Sequence, residues 1–486
     1  MKRHKKRIQL VTSGLLVVVI LAAAAPYSYL PVTAVQETDA RAETSTTLYF
    51  PIVYQNLASP GIPIFGVQMY GNTGSSSVYH PYLLESGSSW LRVPVAWRTI
   101  EPNNVTPAAY AWNSTDSILA AAREDMGGLN VIATIESAPD WAAVHDNAPI
   151  NGGNLADLAE FVGALVERYD GDGFNDAPGS PRVRHWEFYN EPDGGHSSGT
   201  YARWGHDGDK YAQMLATVYP AVKAADPGAK VVMGGIAYDW FEEDGGPFVR
   251  TFINDVLASG GGQYFDIMNF HYYPAFSPNW TSSSGPGLTD KTAYLRNLLD
   301  SYGVNKPIII TESGWHDNNA PSSPSTPEKQ SRYVVELFTQ SMAADVDVMI
   351  WWMLYDAGGF YPYNTGLVTN STTPLKKVAF HTFRLIVSEL RTARFVRTLT
   401  AAETGAAEME VHQFRDNVNS RIVYVAWLNP IDTNVFKSLH LPAAQVTVRD
   451  SINGTSVVIG DGDDGSTDGK VTVQVSGRPI YVEVNE

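Results

Sequence analysis

The sequence predicts an α/β fold, a (β/α)8 TIM barrel followed by a C-terminal antiparallel β-sandwich, on two observations. Between residues 63 and 355, eight short apolar runs alternate with segments of helical period. After residue 394 the period drops to two, with Asn, Gly and Asp turns between the runs. Most of the eight runs are apolar at consecutive positions, so both strand faces must be covered, as in a parallel sheet packed under helices. A chain of 486 residues is too long for one small core and suits a large domain with a smaller one.

Taken in order, the chain begins with a basic stretch at residues 2–7 and an uncharged apolar run from Ile8 to about Ala25. Together with the small-residue site Val32-Thr33-Ala34 this describes an export signal over 1–34. The run is near the lower length that spans a bilayer, so it is either cleaved or kept as a membrane anchor. Either way the body is expected outside the cytoplasm, extracellular or at the cell surface. Residues 35–60 read as a linker, polar at first, whose apolar segment at 47–54 can add a strand to the β-domain. The barrel is expected over 61–394, with strands at 63–70, 89–97, 130–136, 183–189, 230–236, 265–273, 306–311 and 346–355. Its helices include 154–169, 210–225, 247–257, 288–301 and 327–344. The β-sandwich is expected over 395–486, with strands at 408–414, 421–428, 445–449, 455–459, 471–475 and 480–484.

The formal charge of −17 argues against nucleic acid or an anionic membrane surface as partner and suits a neutral ligand. Any membrane association would run through the N-terminal segment alone. The absence of cysteine removes disulfides, thiolate nucleophiles and Cys-ligated zinc, but does not fix the compartment. Twelve Trp and twenty-five Tyr exceed what a core needs to be filled, and flat rings also stack on ligands.

Two of the strands end in a glutamate. The run 183–189 enters the Pro-stopped turn Asn190-Glu191-Pro192, and 307–311 enters Glu312-Ser313-Gly314. In an eight-stranded barrel, working residues project from the C-terminal strand ends, and the fourth and seventh ends face each other across the mouth. A single glutamate there is as well explained by capping the next helix. An opposed pair can share acid–base work, one giving a proton while the other attacks or activates water.

These motifs resemble those of the retaining glycoside hydrolases of clan A, and the resemblance spans the whole barrel. The context Trp186-Glu-Phe-Tyr-Asn-Glu-Pro192 and the turn Pro139-Asp140-Trp141 lean towards family 39 or a cellulase-like family 5 relative. The added β-domain is similar to that of families 39, 5 and 30. The resemblance implies a retaining O-glycoside hydrolase acting on β-linked glycosides or polysaccharides by double displacement, with no cofactor and no metal. Glu191 would be the acid/base, with a raised pKa, and Glu312 the ionised nucleophile. Asn190 would bind the sugar 2-hydroxyl, Arg92 and Tyr273 would serve Glu312, and His271 would lie near Glu191. Arg92 could instead pair with Glu187 inside the barrel, and Tyr273 and His271 could be core residues. Trp352 matches the aromatic floor under the sugar, with Trp351 pointing away. Trp97 and Trp141 either line the cleft or pack, and Glu136, Asp140 and Asp193 lie near the mouth.

The acidic loops 170–176 and 461–465 lack the full ligand spacing of a calcium loop and read as solvated turns. Asn104, Asn113, Asn279, Asn370 and Asn453 stand in glycosylation sequons. The β-domain either supports the barrel or binds glycan. Two other functions fit the fold: a non-catalytic carbohydrate-binding or surface-attachment protein, and a metal-dependent hydrolase. The second would need several His or Asp ligands at strand ends, where only His271 qualifies.

Overall fold

The computed structural model describes residues 62–485, apart from 196–202, 281–284, 286 and 359–361. The export segment at 1–34, the linker at 35–60 and its apolar stretch at 47–54 lie outside the described residues. Among the described residues, no helix is long and apolar enough to cross a membrane.

Eight parallel strands form the first sheet: β1 (Phe65–Gln68), β2 (Trp90–Ala96), β3 (Asn130–Glu136), β4 (His185–Phe188), β5 (Lys230–Met233), β6 (Met268–Tyr272), β7 (Ile308–Ser313) and β8 (Met349–Trp351). Their order is β5-β4-β3-β2-β1-β8-β7-β6. Two isolated parallel bridges, Val232 to Ile267 and Ile236 to Phe270, join the remaining edges and close the barrel. Each expected barrel strand is present, several of them shortened because their ends bend into the loops of the mouth. The eighth shrinks most, to three residues, just before Trp352.

The helices cover the barrel with apolar stripes. In the helix Leu155–Arg168, Leu155, Leu158, Phe161, Val162, Leu165 and Val166 are buried, a spacing of three and four that turns one face inward. The helix Val378–Leu390 completes the ring with Phe380, Phe383, Ile386 and Val387.

The remaining strands are β9 (Arg394–Thr398), β10 (Met409–Asp416), β11 (Arg421–Leu428), β12 (Lys437–Pro442), β13 (Gln445–Asp450), β14 (Ser456–Gly460), β15 (Lys470–Val475) and β16 (Ile480–Asn485). A six-stranded antiparallel sheet, β14-β13-β16-β11-β10-β9, faces the pair β12-β15. Val411, Leu439, Leu441, Val473 and Val482 form a core of their own between them. The sequence did not suggest β9 or β12. Both are edge strands whose composition hides them: β9 carries Arg394 and Arg397 and is largely exposed, and β12 starts at Lys437 and ends at Pro442.

Candidate active site

The barrel interior is built in layers by the two-residue period of its strands. At the bottom, Trp90, Ile132, Val232, Ile267, Ile309, Val348 and Ile350 form an apolar cluster separate from the main core. Two residues further along, the same strand faces turn polar, giving Arg92, Thr134, Asn269 and Thr311, all buried. The next step up reaches Glu136, His271 and then Tyr273 at the mouth. Glu312 follows Thr311 directly and would point away from this face in a regular strand. Register irregularities beside it, where β7 pairs with β6 and β8, fit its re-aiming towards the interior.

Arg92 is the hub of the polar layer and is 2% exposed. Its Nε and Nη2 donate to the two oxygens of Glu187 at 2.7 and 2.9 Å. Its Nη1 donates to Glu312 Oε1 at 2.6 Å and to Gln68 Oε1 at 2.7 Å. Nη2 also reaches Asn190 Oδ1 at 2.7 Å. The two alternatives weighed for Arg92 are therefore both occupied: one guanidinium holds the interior carboxylate and the strand-end carboxylate together. A planar donor fork can do this and an ammonium cannot. Glu187 also accepts from Thr134, Asn269, Thr311 and the Gly235 amide. Burial alone would push its carboxyl up, but Arg92 outweighs that and holds it below the ordinary value.

Glu312 is 7% exposed and bound on both oxygens, Oε1 by Arg92 and Oε2 by the Tyr273 hydroxyl at 2.8 Å. Burial and the Glu312 charge hold the Tyr273 hydroxyl well above its ordinary pKa, so it remains a donor. Glu191 follows β4 with a left-handed backbone, φ 46°, and its side chain is more open, 21% exposed. Oε1 meets His271 Nδ1 at 3.2 Å and Oε2 accepts from Arg203 Nη1 at 3.3 Å. His271 is buried, its Nε2 against Thr311 Oγ1 at 3.2 Å, and a side chain on Gly235 would collide with its ring. Glu191, His271 and Glu312 each bring one polar atom within 4.8 Å of the others. The arrangement offers one carboxylate fixed by two donors and a second that is reachable from solvent.

The electrostatics of Glu191 differ from the expectation of a raised pKa. Burial pushes its carboxyl up, but the hydrogen bond from His271 and the charges of Arg203, His271 and Arg92 outweigh it. In the free site Glu191 is therefore held below the ordinary carboxylate value. Sequence reasoning had no access to Arg203, which stands twelve positions beyond Glu191 in the chain with no period linking them.

Trp352 lies half-buried at the mouth, its ring 6.1 Å from Tyr363. Trp351 points the other way, fully buried, its indole donating to the Thr365 carbonyl at 2.8 Å. Trp97 does not line the cleft. It is 1% exposed, stacks on Phe161 of the covering helix and donates to Glu101, because the chain turns into a short helix at its position. Trp141 packs edge-on against it, half-buried, at 5.2 Å. Asp140 is exposed, and Asp193 is fully buried with its oxygens on the Ala237 and Tyr238 amides, so Asp193 faces backbone rather than the cleft. Glu136 is half-buried, and burial raises its carboxyl.

Four residues that the sequence reading passed over complete the site: Gln68, Tyr70, Asn269 and Arg203. The first three carried a signal. Gln68 and Tyr70 continue the inward face of β1, and Asn269, His271 and Tyr273 alternate along β6. Burial and the Glu312 charge push the Tyr70 hydroxyl up to about 12, an influence it could feel only from close range.

One histidine and two carboxylates within 4.8 Å also make a conceivable metal triad. Arg92 and Arg203 already donate to those carboxylates, and a divalent ion would have to sit beside two guanidinium charges. The donor set does not fit a metal. In the loop after the helix Leu155–Arg168, Asp170, Asp172 and Asp176 also approach within 4.8 Å. Their recorded bonds are those of the turn itself, to the amides of Asp172, Gly173 and Phe174.

A family model described as Cellulase (glycosyl hydrolase family 5) matches residues 54–358, more than half of the chain. No curated protein matches it. Among solved structures, a family 39 glycoside hydrolase from the gut symbiont Bacteroides cellulosilyticus WH2 superposes with a TM-score of 0.65 at 18% identity, covering 88% of this chain and 82% of that one. The catalytic domain of GH30 xylanase C from Talaromyces cellulolyticus gives 0.55 at 16% identity, covering 87% and 98%. The GH51 alpha-L-arabinofuranosidase from Thermotoga petrophila RKU-1 gives 0.58 at 14% identity, again covering 87% and 98%. At such identities these structures speak for the fold alone. The family model carries the assignment, and the chain belongs to glycosyl hydrolase family 5, the cellulase family of clan A, and is a glycosidase.

Proposed function

We propose that this glycosidase is exported and cleaves β-linked glycosides or polysaccharides with retention of configuration. Glu312 attacks the anomeric carbon as the glycosidic C–O bond breaks, and Glu191 gives its proton to the departing oxygen. In the second step Glu191 takes a proton from water, whose oxygen attacks the anomeric carbon and releases the Glu312 carboxylate. Asn190 meets the sugar 2-hydroxyl, and Trp352 lies under the ring.

The observation that carries this reading is the spacing of the two carboxylates. An inverting enzyme needs roughly 6.5–9.5 Å between its carboxyl groups to hold a water, whereas a retaining one has roughly 5–5.5 Å. One oxygen of each carboxylate lies within 4.8 Å of the other, which fits the closer pair of a retaining enzyme. The asymmetry of the pair supports the assignment of roles. Glu312, gripped by Arg92 and Tyr273, is oriented for attack, and Glu191, open to solvent and paired with His271, can exchange a proton.

Export is supported by the basic and apolar segments of 1–34. The test is a panel of aryl β-glycosides and polysaccharides, with the product anomer read by NMR in the first minutes. Retention is expected. Glu312→Ala should lose turnover and regain it with azide, giving a glycosyl azide of inverted configuration. An inverted sugar from the native enzyme, or an unchanged rate in Glu312→Ala, would overturn the assignment.

A further inference from the structure

The wall that carries Glu191 is strained. Tyr189, Glu191 and Tyr238 all have left-handed backbones, with φ of 65°, 46° and 43°. For a residue with a side chain, each such conformation costs on the order of 1 kcal/mol and persists only where the surroundings impose it. Ordinary backbone bonds supply part of the restraint: the Glu191 amide donates to the Gly235 carbonyl at 3.0 Å, and the His271 amide to that of Ile236 at 2.8 Å.

Two buried charges supply more, and neither touches the cleft. Asp193 is fully buried, its Oδ1 accepting from the Ala237 amide at 3.0 Å and its Oδ2 from the Tyr238 amide at 2.8 Å. Lys291 is 1% exposed in the first turn of the helix Leu288–Ser301. Its Nζ donates to the Ala237 carbonyl at 2.5 Å and to the His271 carbonyl at 3.1 Å. A leucine would fill a buried helix position at less cost, since a buried ammonium is tolerated only when paired. Here two of its donors meet the backbone at two strand ends, and its charge is offset by Asp239 and Asp193.

We propose that Asp193 and Lys291 form a buried strap that positions the Glu191–His271 pair for proton transfer. Ala237 is the link: its amide is held from the β4 side and its carbonyl from the helix, and the same ammonium fixes the backbone of His271. Without the strap, the ends of β4, β5 and β6 lose their common anchor, and the His271 ring shifts against Glu191. Both are positioning residues, because they act through the pair and contact no substrate. The inference rests on Glu191 being the proton carrier.

The test separates acid catalysis from general damage by the leaving group. The full chain carrying Lys291→Met, and separately Asp193→Asn, is assayed on dinitrophenyl and phenyl glycosides of the sugar turned over fastest in the panel. A dinitrophenolate leaves without a proton, and a phenolate does not leave readily without one. General acid catalysis contributes typically 10²–10⁴-fold, so its partial loss should lower kcat/KM for the phenyl glycoside tenfold or more. The dinitrophenyl value should stay within about threefold, small beside a full acid-catalytic contribution. Equal losses on both substrates, or no loss on either, in whichever variant folds would overturn the strap. Glu191→Gln is the control: if it shows no leaving-group dependence, the proton-carrier reading itself falls, independently of the strap.

Discussion

The grip on Glu312 can be tested by removing one atom. Tyr273→Phe deletes the hydroxyl that donates to Glu312 Oε2 at 2.8 Å and keeps the ring that packs edge-on to Phe276 at 6.5 Å. The carboxylate then keeps one anchor, the Arg92 contact at 2.6 Å, and can turn about it. A hydrogen bond to a charged group is worth roughly 1.5–3 kcal/mol. At about 1.4 kcal/mol per tenfold, kcat/KM on an aryl glycoside should fall roughly 10- to 150-fold. The loss belongs to the attacking step, so it should be similar for good and poor leaving groups, unlike the strap variants. A double-mutant cycle checks the route: in the azide-rescued Glu312→Ala background, Tyr273→Phe should cost almost nothing further. A fall of less than about threefold in the single variant, or an undiminished loss in the double one, would refute the claim that Tyr273 acts by orienting Glu312.

Four other substitutions probe different parts of the molecule. Arg92→Met leaves Glu187 buried without its cation and should cost about 3–5 kcal/mol of stability. Because Glu187 is held below its ordinary value in the folded chain, that contribution exists above its unfolded pKa and fades as pH falls. The urea midpoint of the variant should thus lag more at pH 7 than at pH 4, and an equal lag at both would refute the pairing. Glu336→Gln should behave oppositely. Burial, aided by the Glu410 charge, pushes the Glu336 carboxyl up to about 8, and its Oε2 has no partner. The native chain should lose stability relative to this variant between about pH 4.5 and pH 8, where only the unfolded carboxyl ionises; parallel stability curves would sink the prediction. Trp97→Ala should destabilise by about 3–5 kcal/mol with KM unchanged, as a core cavity does. Trp352→Ala should chiefly raise KM, and a reversed pattern would return Trp97 to the cleft.

What the sequence made legible was what its periods encode. Consecutive apolar residues marked the eight buried strands, and the change to alternation at 394 marked the sandwich. The same two-residue period put His271 and Tyr273 on one face and separated Trp352 from Trp351. Edge strands escaped because a strand with a solvent side carries charges and Pro for reasons unrelated to pairing, as β9 and β12 do. Of the two places left open for Trp97, the structure takes the core, because the chain coils into a helix there and turns the ring inward. Arg203 and Lys291 could not be inferred at all. Each reaches the site across space from a different element, and their spacing from Glu191 in the chain contains no period.

The low free-state pKa of Glu191 is compatible with the proton donation proposed for it if sugar binding changes its surroundings. Glu191 Oε1 and His271 Nδ1 lie 3.2 Å apart, within hydrogen-bond reach of each other. Without a sugar, Arg203 and Arg92 favour the charged carboxylate. A bound sugar excludes water from an opening that now leaves Glu191 21% exposed, and desolvation, already the largest influence on it, grows. On the proposed mechanism this would drive a proton to the carboxyl when the leaving oxygen is in place. In that mechanism, esterification of Glu312 would remove a negative charge from beside Glu191, lower its proton affinity again and leave it ready to accept a proton from water. On the proposed mechanism, the guanidinium charges that hold Glu191 low at rest would make it a ready acid once the sugar is bound.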